Sequence, residues 1–285
     1  MNGSIGNPSS MADAIHVDEV GIEMGVLGDF RLKSAYQPVF RREAGELRPV
    51  AIEGKVAPFL HGEPVPALDF LDKVPAERRM FVESLCNTLH LRNHPNVGLP
   101  WLELFVSYNP RGSSEFLQEM AAMAATLEEI ELDPRQVVCE ISEAAALDQE
   151  TLQALSHEIR RHGMRVAIGD FSHSPGGEVG AFRPDIVKIE GAWFRRLCED
   201  DGTARLFSPV AATFRQLGAQ IFVGGIETVT QLRVAIDGKA DLLQGRLLSP
   251  PALAGTLFDE DSLSLDRLLD TPDKVVPFFG KRQRR

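Results

Sequence analysis

A chain of 285 residues, 44% hydrophobic and 25% charged, is long enough to bury one large α/β domain or two small ones. Its formal net charge of -11 argues against a protein whose main task is to grip nucleic acid or an anionic membrane, since both favour clustered Lys and Arg. Cys86, Cys139 and Cys198 lack C-x-x-C spacing, the start lacks a signal-peptide pattern, and no apolar run nears the ~18 residues of a membrane span. The expectation is a cytoplasmic protein with neither a disulfide framework nor a membrane span.

In chain order, residues 1–28 read as a partly flexible tail with a marginal helical segment. A domain over 29–270 follows, then a tail over 271–285 that ends in the basic run Lys281-Arg282-Gln283-Arg284-Arg285, read as a solvated end. Within the domain, strand-length apolar runs rich in β-branched residues fall at 35–40, 49–53, 104–109, 137–141, 165–170, 185–189, 221–224 and 241–244. Helical spacing over 70–92 carries Phe70, Leu71, Val74, Phe81, Leu85 and Leu89, with a break or start at Pro75. Ser113-Ser114 caps the next helix, Asp148 the one to His162, and Thr228 a short one to Ile236. Leu257, Phe258, Leu263, Leu265, Leu268 and Leu269 predict a closing helix. Strand, helix, strand, helix along the whole domain predicts a parallel sheet with helices outside, closed as a TIM-like (β/α) barrel.

Nearly every apolar run ends in one polar side chain: Glu53, Asn109, Glu140, Asp170, Lys188, Glu227 and Gln244. Any one of these could simply start a loop, but a polar residue at the end of strand after strand marks the working face of a β/α barrel. Glu53, Asn109, Glu140 and Asp170 form an all-oxygen set suited to Mg²⁺ or Mn²⁺ rather than zinc. Lys188 beside them could stabilise a phosphate oxyanion. The matching reaction class is two-metal phosphodiester hydrolysis. The same residues also fit a set of structural ion pairs around Lys188.

The run of motifs is specific. It comprises Gln37-Pro38-Val39 followed by Glu53, then Val106-Ser107-Tyr108-Asn109, Cys139-Glu140-Ile141-Ser142-Glu143 and Gly169-Asp170-Phe171. Val187-Lys188-Ile189-Glu190, Gly224-Gly225-Ile226-Glu227-Thr228 and Gln244-Gly245 complete it. In order and spacing these resemble the EAL domain family of cyclic di-GMP signalling, with its Q-P-I, E-A-L, V-N-L-S, E-I-T-E, D-D-F-G, L-K-I-D, E-G-V-E-T and Q-G elements. The resemblance implies a barrel that binds cyclic di-GMP and, in active members, hydrolyses it to the linear dinucleotide with Mg²⁺ or Mn²⁺. It implies metal ligands at Glu53, Asn109, Glu140 and Asp170, ligand contacts at Gln37, Pro38, Glu53, Asn109 and Gln244, and remnant catalytic residues at Lys188 and Glu227.

The chain departs from the family at several of these positions. The signature reads Glu53-Gly54-Lys55, Ala57 stands where ligand-binding members carry a phosphate-gripping Arg, and Gly169 and Gly224 replace carboxylates. Two lost anionic ligands weaken a hard-cation site severely. The loop from Ser172 to Glu178 is rewritten; Glu143, which resembles its anchor, remains, and a lone loop residue such as His173 is more often neither ligand nor base. The expectation is therefore a catalytically degenerate regulator with no cofactor, or Mg²⁺ or Mn²⁺ where any metal binding survives. It would work through an unidentified protein partner and weak cyclic di-GMP binding, with no nucleic acid and with a homodimer left open. The other reading is a working metal-dependent phosphodiesterase that binds one metal or recruits His173 or Glu190.

Overall fold

The computed structural model describes residues 3–6, 8, 10–109, 113–142, 147–169, 183–189 and 191–270. Its strands are β1 (Ile15–Val17), β2 (Glu23–Leu27), β3 (Phe30–Glu43), β4 (Glu46–Leu60), β5 (Glu63–Pro64), β6 (Glu103–Tyr108) and β7 (Val137–Ile141). They continue as β8 (Arg165–Ile168), β9 (Ile186–Ile189), β10 (Gln220–Val223), β11 (Leu242–Leu243), β12 (Ala252–Leu253) and β13 (Leu263–Ser264). The helices are α1 (Met11–Ala14), α2 (Ala67–Leu71), α3 (Arg79–Asn93), α4 (Ser113–Glu129) and α5 (Gln149–Arg161). After them come α6 (Gly191–Leu197), α7 (Asp201–Ala204), α8 (Phe207–Gln216), α9 (Val229–Asp237) and α10 (Leu265–Asp270).

The order β3-β11-β10-β9-β8-β7-β6-β4, closed by pairing of β3 with β4, is a complete barrel with helices around it. Six of its eight junctions are parallel, but β3 runs antiparallel to both neighbours. This corrects the expectation of a parallel sheet throughout. Glu43 pairs with Glu46, so only Ala44-Gly45 joins β3 to β4, and both have positive φ (47° and 89°). A two-residue hairpin of that kind cannot join parallel strands, which need a crossover of a dozen residues or more.

Alternation along the strands sorts the core into an inner and an outer set. Val39, Ala51, Phe105, Val138, Ala167, Ile186, Phe222 and Leu242, one from each barrel strand, fill the interior. Their neighbours in sequence, among them Leu104, Val106, Cys139, Val187, Ile221 and Val223, face outward beneath the helices. On α5, Leu152, Leu155 and Ile159 recur at helical spacing on the buried face. Two of the expected caps are present, Asp148 accepting from the Thr151 amide at 2.8 Å and Thr228 forming a capping box with Gln231, while the side chains of Ser113 and Ser114 lie outside the described ones.

A separate cluster lies above the barrel. β3 and β4 overrun it as a long ribbon, and Leu27, Phe30, Leu32 and Leu60 pack there against Phe70, Val74, Val82, Leu85 and Leu89 of the α2–α3 region. Residues expected as an N-terminal tail form α1, β1 and β2 here, and β2 pairs with β3 from Met24 to Leu27. Pro75 interrupts the helical region as expected, between α2 and a 3₁₀ turn at Ala76–Arg78 that leads into α3. The expected closing helix is shortened to α10, with Leu257 exposed. Among the described residues no helix is long and apolar enough to cross a membrane.

Candidate functional site

Two residues beyond the apolar interior, toward the C-terminal ends of the parallel strands, alternation brings the next side chains inward. Counting from that interior, and backwards along antiparallel β3, they are Gln37, Glu53, Ser107, Glu140, Gly169, Lys188, Gly224 and Gln244. Register pairs Gln37 with Glu53 and Ser107 with Glu140, whereas Glu53 faces Phe105 and Glu140 faces Ala167 of the apolar interior, so the level is staggered around the barrel.

Three of these side chains converge. Lys188 Nζ donates to Glu53 Oε1 at 2.8 Å and to Glu140 Oε2 at 3.0 Å. Only 1% of the Lys188 side chain is exposed, against 6% for Glu53 and 5% for Glu140, so these charges sit away from bulk water. The ammonium also lies 5.3 Å from the centroid of the Phe222 ring, at the top of the apolar interior. Lys55, one step further out on β4, places Nζ 2.9 Å from Glu53 Oε2. Burial pushes the Glu53 carboxyl up, but Lys188 and Lys55 together outweigh it and hold it down at about 2.

The glycines at the lost ligand positions differ in what surrounds them. A Cβ added at Gly169 would collide with Glu140 Oε1. The Glu140 carboxylate thus occupies the room a side chain at 169 would need. Gly224 is buried, its amide donating to the Ile189 carbonyl at 3.0 Å. At Gly54, a Cβ would come within 2.6 Å of the His90 ring. His90, on α3, is buried and lies 2.9 Å from Ser34 Oγ through Nδ1, and burial lowers its pKa to about 4, so it is neutral at ordinary pH. The glycine in the signature therefore makes room for a histidine from the helix behind.

The remaining expected site residues fall elsewhere. Gln37 Nε2 donates to the Ser249 carbonyl at 2.9 Å, and Gln244 Nε2 to the Gln37 carbonyl at 3.3 Å, so both amides tie β3 to the end of the barrel. Pro38, expected as a ligand contact, alternates with Gln37 and faces outward. Asn109 lies one residue past β6, and no hydrogen bond or ion pair among the described residues joins it to Lys188, Glu53 or Glu140. In V-S-Y-N the residue matching the Asn of V-N-L-S is Ser107, and Ser107 is also the one level with Glu140. Glu227 is exposed beside the start of α9, where its amide donates to Gln231 Oε1 at 2.7 Å. Asp170, Glu143, His173 and Glu190 lie outside the described residues. Sequence reasoning missed Ser107, Lys55 and His90; counting in twos from Phe105 and from Glu53 would have found the first two.

Among the described residues, no group of three or more His, Cys, Asp or Glu side chains converges as a metal site would require. Two carboxylates face two ammonium groups, and their formal charges cancel. A divalent cation at Glu53 and Glu140 would compete with Lys188 for these carboxylates, and the neighbouring Asp170 lies outside the described residues.

Comparison with known protein families matches residues 78–251, more than half of the chain, to the EAL domain. The chain belongs to the EAL domain family. The matched span begins after β4, so Gln37 and Glu53 of this EAL domain lie outside it. No curated protein sequence matches. Among solved structures, the EAL-domain protein YkuI of Bacillus subtilis, in complex with substrate c-di-GMP and calcium, superimposes with a TM-score of 0.68 at 20% identity. That match covers 83% of this chain and 59% of YkuI. BlrP1 of Klebsiella pneumoniae, with FMN and cyclic diGMP and no metal ions, gives 0.61 at 16% identity over 81% of this chain and 55% of its own. A standalone EAL protein of Vibrio cholerae, in c-di-GMP-bound form, gives 0.65 at 19% identity over 79% and 93%. The EAL domain thus spans little more than half of the first two proteins. At these identities the likeness establishes the barrel fold.

Proposed function

We propose that this EAL domain acts without hydrolysis, as a regulatory module of cyclic di-GMP signalling that contacts a protein partner and takes the dinucleotide weakly and without a metal. One observation carries the reading: Glu53 and Glu140 are closed on Lys188, and the Glu140 carboxylate occupies the space a ligand side chain at 169 would need. A carboxylate already neutralised by a buried ammonium offers a divalent cation little, because the cation must first displace that ammonium. The retained barrel, and a BlrP1 structure holding cyclic diGMP with no metal ions, support binding without a metal.

The chain's own residues would shape the mouth. Lys188 holds two carboxylates in place, Gln37 and Gln244 fix the barrel seam, and His90 backs Glu53 from behind β4. Incubation with cyclic di-GMP and Mn²⁺, followed by chromatography for the linear dinucleotide, tests the proposal. No product is expected. Turnover that disappears in Glu53→Ala would restore the phosphodiesterase reading and end this one.

A further inference from the structure

One wall beyond the barrel's polar level is built from a strand pair. The β3–β4 ribbon overruns the barrel, and one of its faces is covered by Leu85, Leu89 and His90 of α3. The other face continues the inner wall outward as a ladder of opposed residues. Val39 opposes Ala51, Gln37 opposes Glu53, Ala35 opposes Lys55, Lys33 opposes Ala57, and Arg31 opposes Phe59. Beyond Glu53 this face carries three cations and one aromatic ring and no carboxylate.

The three cations are differently engaged. Lys55 is held by Glu53 at 2.9 Å. Arg31 turns back, its Nη1 donating to the carbonyls of Gly28 and Phe30 at 2.9 and 3.1 Å. Lys33 has no carboxylate within ion-pair distance among the described residues; its Nζ rests 5.0 Å from the centroid of the Phe59 ring. Lys33 is the diagonal neighbour of both Phe59 and Lys55, close enough for long side chains to meet. Ala57, directly opposite, contributes only a methyl group. The arrangement is a half-buried lysine against a ring and diagonal to a second lysine, on the face that continues the barrel's inner wall.

We propose that Lys33 and Phe59 form a metal-independent grip for a phosphate-bearing nucleotide. The ammonium leaves the ring for a phosphate oxygen, where its hydrogen bonds become charge-assisted, and the ring face it vacates stacks a base. The occupant is a cyclic dinucleotide, whose bases and phosphates lie close enough to meet both residues. This rests on the reading that the mouth takes cyclic di-GMP, and it moves the decisive contact from the carboxylates to the ribbon.

Titration calorimetry of the full chain with cyclic di-GMP in EDTA is the test. Lys33→Gln is expected to weaken binding about tenfold or more, as loss of a charge-assisted contact does, while Lys33→Arg keeps it. Phe59→Leu keeps apolar bulk and is expected to lose affinity through the missing ring. Thermal unfolding of Lys33→Gln should match the parent, which separates lost binding from lost folding. Equal affinity in Lys33→Gln and the parent, or no binding by the parent in EDTA, overturns the grip. Either result leaves the absence of hydrolysis standing, because turnover with Mn²⁺ decides that independently.

Discussion

Two adjacent levels of one barrel solve the problem of filling its interior in opposite ways. The lower level is hydrocarbon and aromatic ring, with Phe105 and Phe222 packed edge to face at 5.2 Å. The upper level, two residues along the same strands, holds a lysine between two glutamates, with two glycines and a serine for neighbours. Apolar filling is indifferent to pH and to the loss of any one partner's charge. The charged filling is interdependent: each group is tolerable only while its partner is present. Among the described residues, the upper level balances its two carboxylates with an internal cation.

The comparison breaks first at Lys188. Lys188→Met strands two buried carboxylates and should cost about 3–5 kcal/mol, read by urea unfolding. Adding Glu53→Gln and Glu140→Gln to it should return most of that loss, since a neutral trio needs no counter-charge. If the single change costs nothing, the upper level is not an ion-pair core.

Acid should separate the levels next. The Glu53 carboxyl has an ordinary value of 4.5, and the lysines hold it down at about 2 in the fold. Its contribution is then complete above pH 4.5 and drains away as the pH falls toward 2. Glu53→Gln should flatten that part of the stability profile, whereas Val138→Ala, in the lower level, should leave its shape unchanged.

Gly169→Ala should cost about 1–3 kcal/mol, because its methyl group meets the Glu140 carboxylate that Lys188 holds in place. Glu140→Ala in the same chain should relieve it, which chemical denaturation can show. The smallest effect is expected at Lys55, partly exposed on the rim. Lys55→Ala should change stability by about 1 kcal/mol or less, and less still in high salt.

Much of this was readable in the amino-acid order, because the barrel writes its inward side chains at every second residue and ends its strands in polar groups. Glu53, Glu140 and Lys188 were found that way and do meet. The errors are errors of phase and of distance. Pro38 was grouped with Gln37 although neighbours in a strand face opposite ways, and Asn109 was preferred to Ser107 because the more familiar ligand type lay two residues on. The reversal of β3 was hidden because Ala44 adopts positive φ, where the turn signal of an Asn or Asp would have announced a hairpin. His90 sits 36 residues from Gly54 in sequence, and no local pattern links a missing methyl on β4 to a ring on α3.

The closure of the barrel is uneven. β3 is laced to β4 along nearly its whole length, but only Leu242–Arg41 and Leu243–Phe40 join it to β11, helped by the two glutamine amides. A closed cylinder opens where it has fewest stitches, so amide hydrogens of β11 should exchange before those of β4. The hinge of this molecule would then be its seam rather than a loop, and any ligand that borrowed Gln37 or Gln244 would be unfastening the cylinder as it bound.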